Sequence, residues 1–441
     1  MSALLAGCAT YAPLPLPAAD DLTTSARTAA PDKPALGMDA VATLAVLNNP
    51  ELRAARATLH VAQAQAFAAG LLPDPQLSYS ADYAMDHVVS HADPRYPEFN
   101  AYGLGLAIDL QTLLTHGSMH ATADASYRQA RQSLLWEEWQ TVAQARTLYV
   151  QRSVAADRYA SLTAAEQIYA AAAEHSQRAL ATGDVTLEQS SADLALLEDV
   201  RVQLGAAQRG ELQAVQALRT LLGVKPGMII PLRPLAAPPM PDEAGVQAAL
   251  SRLPQRRPDL LALRAGYAAQ EERVRTAVLS QFPNISVGIT RARDVSDVHT
   301  TGFGVTLTLP LFDRGRGDIA IQRATREQLR AEYQSRQNQA RGDVWQLWHE
   351  MQQLQRQLRA LDAQLPQLQR AAERARRAYE GGNFPAASYL TLTSAYLTAS
   401  GNRFDLLQNL WTDCIGLATV LGTQIQPETQ APDSAVSPPP A

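Results

Sequence analysis

The sequence predicts a mainly α-helical protein with transmembrane β-strands, built as two internal repeats. Three observations predict this class. Four landmarks recur in the same order in both halves of the chain. Long Ala-, Gln-, Arg- and Leu-rich segments have the composition of helices, and four short stretches alternate apolar with small or polar residues. Hydrophobic residues are 46% and charged residues 18% of the chain, which indicates a folded protein, and the net charge of -5 argues against nucleic acid as a partner.

The N-terminal segment, residues 1–38, is interpreted as a lipidation signal followed by a tether. "LLAGC" resembles a bacterial lipobox, in which Cys8 would carry the lipid, with palmitate among its acyl chains. The Pro-rich residues after Cys8 are typical of a flexible linker. Only seven residues precede Cys8, fewer than an export signal needs, so either the true start lies upstream or the match is chance. At the other end, the Pro- and Ser-rich residues 423–441 predict a disordered tail.

The repeats are recognised by landmarks at nearly constant offsets. Pro50 and Pro258 stand 208 residues apart, and Gly183 and Gly382 stand 199 apart. The offset changes between the paired strands, where the first half has the longer loop. The first repeat is placed at 39–224, an equatorial linker at 225–254 and the second repeat at 255–422.

Each repeat is predicted as a helix, a strand hairpin, a very long helix, a turn and a last helix. The predicted helices are 50–70, 117–182 and 186–222 around a hairpin at 76–109, and 258–281, 315–381 and 386–421 around a hairpin at 284–310. Each long helix would reach on the order of 100 Å at 1.5 Å per residue, deeper than any globular core. The two shorter helices together match the long one, so we expect them to run end to end along it. The strands then lie at one end of a rod and the Gly turns at the other.

The strands allow two interpretations. Leu77 and Tyr79 alternate with Gln76 and Ser78, and the same pattern recurs through Phe303, Val305 and Leu307 against Thr306 and Thr308. A soluble antiparallel sheet shows such alternation, and so does a membrane barrel wall. The long helices leave no compact domain for a sheet to cover, which favours the membrane. Four strands cannot close a barrel and open edges are not tolerated in lipid, so the chain must oligomerise.

The order of these features resembles the TolC-type outer-membrane efflux protein family, in its lipoprotein branch. The match runs from about Asp39 to Gly422 and rests on the doubled layout, "LLPDPQLSY" after the first helix, "LPLFDRGRG" after the last strand and Arg-x-x-x-x-Gly turns at Arg178–Gly183 and Arg377–Gly382. The resemblance implies a homotrimer with a twelve-stranded outer-membrane β-barrel, continued by a helical barrel across the periplasm. It implies a passive duct for drugs or heavy-metal ions, with no enzymatic activity and no cofactor. The implied partners are outer-membrane lipid, a periplasmic adaptor (membrane fusion protein) and an inner-membrane RND-type transporter.

The resemblance also implies that the two Gly turns form the periplasmic tip, where the tunnel closes. The candidate tip and gate residues are Gly183, Asp184, Glu188, Gln189, Gly382, Asn383, Phe384, Ser388 and Tyr389. Family members often carry acidic residues shortly after this glycine, but here Gln189 and Ser388 stand at the sixth position. An acidic ring would have to come from Glu188 or Asp193, unless these are solvated helix-start residues. The alternative is closure by packing of Phe384 and Tyr389.

Candidate chemistry is sparse. His116 and His120, spaced i, i+4 on a helix, are the metal candidates taken forward, beside His87 and His91 in the first strand loop. Solvated histidines are the simpler interpretation because neighbouring carboxylate or Cys ligands are missing. No nucleotide-binding fingerprint or nucleophile arrangement is present. Two other functions remain open: the outer-membrane duct of a type I protein secretion system, and a soluble coiled-coil periplasmic adaptor or scaffold. The lipobox argues against the first, and the two hairpins with membrane-like strands argue against the second.

Overall fold

A computed structural model describes residues 11–17, 35–83, 100–295 and 297–423, and shows two repeats joined through one sheet. Its helices are α1 (Met38–Asn48), α2 (Pro50–Gly70), α3 (Leu110–Thr182), α4 (Leu187–Leu221), α5 (Glu243–Arg256), α6 (Pro258–Leu279), α7 (Arg316–Glu380) and α8 (Ala386–Leu421). Its strands are β1 (Gln76–Asp82), β2 (Ala101–Asp109), β3 (Asn284–Arg293) and β4 (His299–Thr308). Cys8 and the predicted tail after residue 423 lie outside the described residues.

The first long helix, α3, has 73 residues and is about 110 Å long. It begins seven residues before the predicted start at 117, because β2 runs directly into it. The Asp109 carboxylate accepts hydrogen bonds from the amides of Gln111 (2.8 Å) and Thr112 (3.2 Å), which is a complete N-terminal cap. Gly117, which marked the predicted boundary, lies inside the helix with open space beside it.

The shorter helices meet end to end, as expected. α2 and α4 both pack along α3. At their junction the Asn49 side chain accepts from the Leu52 amide (3.0 Å), capping α2, and donates to the Leu221 carbonyl at the end of α4 (3.2 Å). Gly223 closes α4 with φ +58°. In the second repeat Gly422, with φ +64°, closes α8 against Arg256, just before α6 begins.

Gly223→Ala is expected to destabilise the protein more than Gly183→Ala. Both glycines have positive φ, which costs other residues roughly 1–2 kcal/mol. A methyl group at Gly223 would also lie 2.7 Å from the Asn48 carbonyl oxygen, whereas a methyl at Gly183 meets open space. We expect a free-energy loss of roughly 1 kcal/mol for Gly183→Ala and roughly 2–4 kcal/mol for Gly223→Ala. Thermal unfolding followed by helical circular dichroism measures both, and equal losses would mean that the junction yields to the methyl.

The predicted linker at 225–254 is not a plain loop, because it contains most of α5. Asp242 caps this helix by accepting from the Gly245 amide (3.0 Å). Val246, Leu250 and Leu253 then fall on one face at i, i+4 and i+7, and all three are buried. They join a core with residues of α7 and α8, and the Trp411 indole donates to the Ala236 carbonyl (2.9 Å). A packed band thus surrounds the middle of the rod.

Stability is expected to rise as the pH falls through 6, because of Asp413 in this band. Burial, and then the neighbouring Glu350 carboxylate, raises the pKa of Asp413 to about 6. Unfolded aspartate titrates near 4, so between about pH 6 and pH 4 the folded state holds a proton that the unfolded state has lost. Asp413→Asn should raise the unfolding temperature at pH 7.5 and flatten its dependence between pH 7.5 and 5. An unchanged pH dependence in circular-dichroism melts would contradict this assignment.

The four strands form one antiparallel sheet in the order β1-β2-β3-β4, and the pairing of β2 with β3 joins the two repeats. The register aligns a row of apolar residues across one face: Leu77, Leu106, Ile289 and Phe303, exposed by 72, 43, 59 and 73%. The next row on the opposite face is Ser78, Gly105, Thr290 and Gly302. The alternation in the sequence therefore corresponds to two distinct faces, and no other described part of the chain covers the apolar one.

Candidate functional site

Two regions of the rod are candidate functional sites, the sheet and the tip. The tip contains two turns of the same construction. Gly183, with φ +79°, donates to the Leu180 carbonyl, and the next amide donates to the Ala179 carbonyl, a Schellman motif that ends α3. Gly382, with φ +73°, and Asn383 repeat these bonds at the end of α7. The duplication seen in the sequence thus extends to individual hydrogen bonds.

The polar residues after the first turn are occupied locally. The Gln189 side chain accepts from the Thr186 amide (3.1 Å), and the Thr186 hydroxyl accepts from the Gln189 amide (3.3 Å), forming a capping box at the start of α4. Asp184 accepts from the Thr182 hydroxyl. Glu188 is exposed in the first turn of α4, where its negative charge interacts favourably with the helix dipole. Gln189 is therefore part of the helix start.

Asp193 lies inside the chain. Its side chain is only 5% exposed, and it lies close enough to Tyr379 of α7 to contribute, after burial itself, to raising the pKa of that phenol. Of the two acidic candidates, Glu188 alone is presented to solvent in the single chain. Whether either lines a constriction stays a prediction.

An aromatic cluster lies beside the second turn. Tyr389 is 5% exposed and stacks on Tyr379 with ring centroids 5.3 Å apart and planes 20° from parallel. Phe384 is half-buried against the same cluster, while Ser388 and Asn383 are exposed. Burial raises the pKa of Tyr379 and Tyr389, so both phenols are neutral at physiological pH. Sequence reasoning named Phe384 and Tyr389 but missed the stacking partner.

The cluster also connects the two helical hairpins. The Tyr169 hydroxyl of α3 donates to the Leu390 carbonyl of α8 (3.2 Å), and His175 of α3 meets the Tyr379 ring edge-on at 6.1 Å. Buried residues from α3, α4, α7 and α8 complete it. Separating the hairpins at the tip would therefore disrupt aromatic packing and a buried hydrogen bond.

The predicted metal candidates lie near the sheet end of α3. The rings of His116 and His120 are 6.4 Å apart and edge-to-face, and His120 Nε2 lies 3.9 Å from a carboxylate oxygen of Asp124. Within the ranges the structure describes, no three His, Cys, Asp or Glu side chains converge to hold a metal ion. The pair carries no further argument for metal binding.

The polar face of the sheet forms a small cavity of about 240 Å³ at its helical end. The cavity is lined by Gln76, Ala107, Asp109, Asn284, Ser286, Thr306 and Thr308. The Asn284 amide donates to the second oxygen of Asp109 (2.9 Å), which ties β3 to the β2–α3 connection. One face of the sheet is thus polar down to the first turn of the helices, and the other is apolar.

None of the helices in the described ranges combines the length and apolar character needed to cross a membrane. The sheet is a separate matter: its apolar face is exposed, and β1 and β4 have no further strand beside them among the described residues. Such edges present backbone N–H and C=O groups with which another strand can pair.

The family model described as "Outer membrane efflux protein" matches residues 41–224 and 249–423. The chain belongs to the outer membrane efflux protein family. This efflux protein is 26% identical to the pyoverdine export outer membrane protein OpmQ of Pseudomonas aeruginosa, over 89% of this chain and 86% of OpmQ. Family and fold together give its function as an outer-membrane efflux channel.

Solved structures show the same fold. CusC, studied for transmembrane channel formation, superposes with a TM-score of 0.73 at 20% identity, over 90% of this chain and 96% of that one. The open state of the MtrE outer membrane channel of Neisseria gonorrhoeae gives 0.68 at 18% identity, over 89 and 91%. The family match disfavours the soluble adaptor or scaffold that the sequence left open.

Proposed function

We propose that this efflux protein is the exit duct of a tripartite pump, in which a homotrimer forms a twelve-stranded outer-membrane barrel continued by a helical tunnel. The observation that carries the proposal is the four-stranded sheet, whose apolar face is exposed and whose two edges pair with no further strand of the described residues. Pairing β4 of one subunit with β1 of the next removes every edge once the ring closes, and lipid covers the apolar face. Three copies supply twelve strands.

The rest of the chain supports the tunnel. α3 and α7, at about 110 and 100 Å, with the paired shorter helices beside them, extend from one end of the sheet. The Gly183 and Gly382 turns lie at the far end, where the aromatic cluster holds the two hairpins together. A small rotation of these hairpins would open the tip, a motion of packed helices that is well known in gating.

The finer assignments rest on the sequence. Cys8 would anchor the chain by lipid on the periplasmic side of the outer membrane. A periplasmic adaptor would contact the helical hairpins, where a groove of about 790 Å³ runs between α3, α4 and α8, crossed by the Arg158–Asp405 ion pair. An inner-membrane RND-type transporter would select the cargo and supply the energy for its export. Drugs and heavy-metal ions are the proposed substrate class, and OpmQ adds pyoverdine as a compound to test.

Reconstitution tests the duct directly. The protein with a restored signal sequence is purified in detergent, its mass is measured by native mass spectrometry, and it is fused into planar bilayers. We expect the mass of three chains and discrete current steps. A closed tip could silence the current, so the tip variant described in the Discussion is recorded in parallel. A protein that stays soluble without detergent and is silent in both forms would overturn the proposal.

A further inference from the structure

The outward face of the sheet changes character at the end far from the helices. Towards the helices it is apolar up to the row of Ile289 and Phe303. One row further out lies Arg291, opposite Leu104 in β2 and Thr301 in β4. Arg291 shares its face with the apolar residues because strand side chains alternate with period two. An arginine therefore stands on the face that the proposed barrel presents to lipid.

Arg291 is one of three basic residues in this place. The next row outwards pairs Arg293 of β3 with His299 of β4, and Tyr102 of β2 lies opposite Arg293. Arg293 forms an ion pair with Asp297 in the connecting turn (2.6 Å), and His299 lies 3.7 Å from the same carboxylate. Arg291 is exposed, and its guanidinium has no ion-pair partner among the described residues. Of the two carboxylates in this turn, Asp297 pairs with Arg293, and Asp294 accepts from the Val298 amide (2.9 Å).

The height of the cluster matches the edge of a membrane. From Thr301, beside Arg291, to Leu309 the outward face covers eight residues, which is about 20 Å of height for strands tilted by about 40°. The apolar band of a bacterial barrel is about 25 Å tall. Tyr79, in the same row as Arg291, and Tyr102 supply the aromatic residues typical of this boundary. Since the helices leave the opposite end of the sheet, the boundary is the outer one.

We propose that Arg291, with Arg293 and His299, binds the phosphate groups of a phosphorylated glycolipid in the outer leaflet. Arginine is suited to phosphate because its planar guanidinium donates two parallel hydrogen bonds. An arginine on the lipid face is costly at the bilayer centre and nearly neutral at the interface. At the height of the interface Arg291 can therefore stay charged and pair with a lipid phosphate. The tyrosines and the apolar row below would contact the sugar and the acyl chains. This inference rests on the proposed barrel.

The experiment measures lipid retention by the detergent-purified trimer in native mass spectrometry. The probes are a diphosphorylated glucosamine-based glycolipid and the same lipid after enzymatic dephosphorylation. Wild type should prefer the phosphorylated form. Arg291→Lys should keep that preference, whereas Arg291→Gln should weaken binding roughly tenfold, the size expected for a lost charge-assisted hydrogen bond. Arg323→Gln on α7, the same chemical change on an exposed tunnel helix, should have no effect.

Three results would overturn the lipid site: equal retention of the dephosphorylated lipid, unaltered binding by Arg291→Gln, or displacement of the lipid by millimolar inorganic phosphate. Trimer mass and bilayer current are read from the same preparation. A normal, conducting trimer without lipid preference refutes this inference alone. Absence of both trimer and current refutes the barrel itself.

Discussion

Val305→Arg is expected to abolish assembly in the outer membrane, whereas Thr306→Arg should leave assembly intact. Val305 lies on the apolar face, is 57% exposed and stands opposite Val287, away from both ends of the edge strand β4. An arginine facing lipid near the bilayer centre costs roughly 2–4 kcal/mol in each chain, and a trimer carries the cost three times. Since proteins are stable by only about 5–15 kcal/mol, the assembled form should be lost.

Thr306 is the matched control, one residue further along β4 and on the opposite face. It stands opposite Ser286 and lines the polar cavity with Asp109. In the barrel this face meets water, so Thr306→Arg should assemble normally, reduce single-channel current and shift ion preference towards anions. The fraction of folded trimer recovered from outer membranes and the bilayer current measure the two effects. If both variants assembled equally, the two faces would share one environment and the barrel would be refuted.

Replacing Phe384 and Tyr389 together by alanine is expected to raise conductance by opening the tip. Removing the two packed aromatic side chains destabilises the packed tip by several kcal/mol, and loss of the Tyr379–Tyr389 stack adds roughly 0.5–1.5 kcal/mol. If the open tip lacks these contacts, a difference of about 1.4 kcal/mol already shifts the closed-to-open ratio tenfold. Single-channel recordings should then show a larger open fraction or larger steps.

A matched variant separates gating from loss of packing. Trp345→Ala removes an aromatic residue of α7 that contacts Trp348 edge-to-face at 5.6 Å, in the band at the middle of the rod. It should lower the unfolding temperature without altering the current. If the tip variant also lost stability but kept wild-type current, its aromatics would persist in the open state and would not belong to the gate.

The architecture could be predicted from the sequence because its signals are long-range and repetitive. Pro50 and Pro258 fix helix starts, and Gly183 and Gly382 fix helix ends, so recurrence at nearly constant offset identifies both repeats without tertiary information. The strand faces follow from period-two alternation alone. Two helix boundaries were not predicted correctly: the start of α3 and the presence of α5. The Asp109 cap carries α3 across a stretch interpreted as a loop, and α5 begins in a Pro-rich segment and contains Pro254, which mask its apolar face.

The tip could be located from the sequence but its contacts could not. Phe384 and Tyr389 are near the turn, so proximity in sequence found them. Tyr379 is as near the turn, but it precedes the glycine and nothing in the sequence shows that it stacks on Tyr389. Tyr169 lies within the long helix α3, and only the packing of the two hairpins brings it to the cluster. Gln189 appeared as a missing acidic residue, although its spacing from Thr186 is that of a capping box.

The glycines that end the helices fix the distance from the middle of the rod to each tip. Gly183 and Gly223 are separated by forty residues, and so are Gly382 and Gly422. Equal counts place both tips of a chain at one depth, so three chains would offer six level contact points to a partner. One extra residue in a single hairpin would shift its tip by about 1.5 Å and break that plane. The nine-residue difference between the proline offset (208) and the glycine offset (199) falls instead near the strand loops, where added length does not change the distance to the tip.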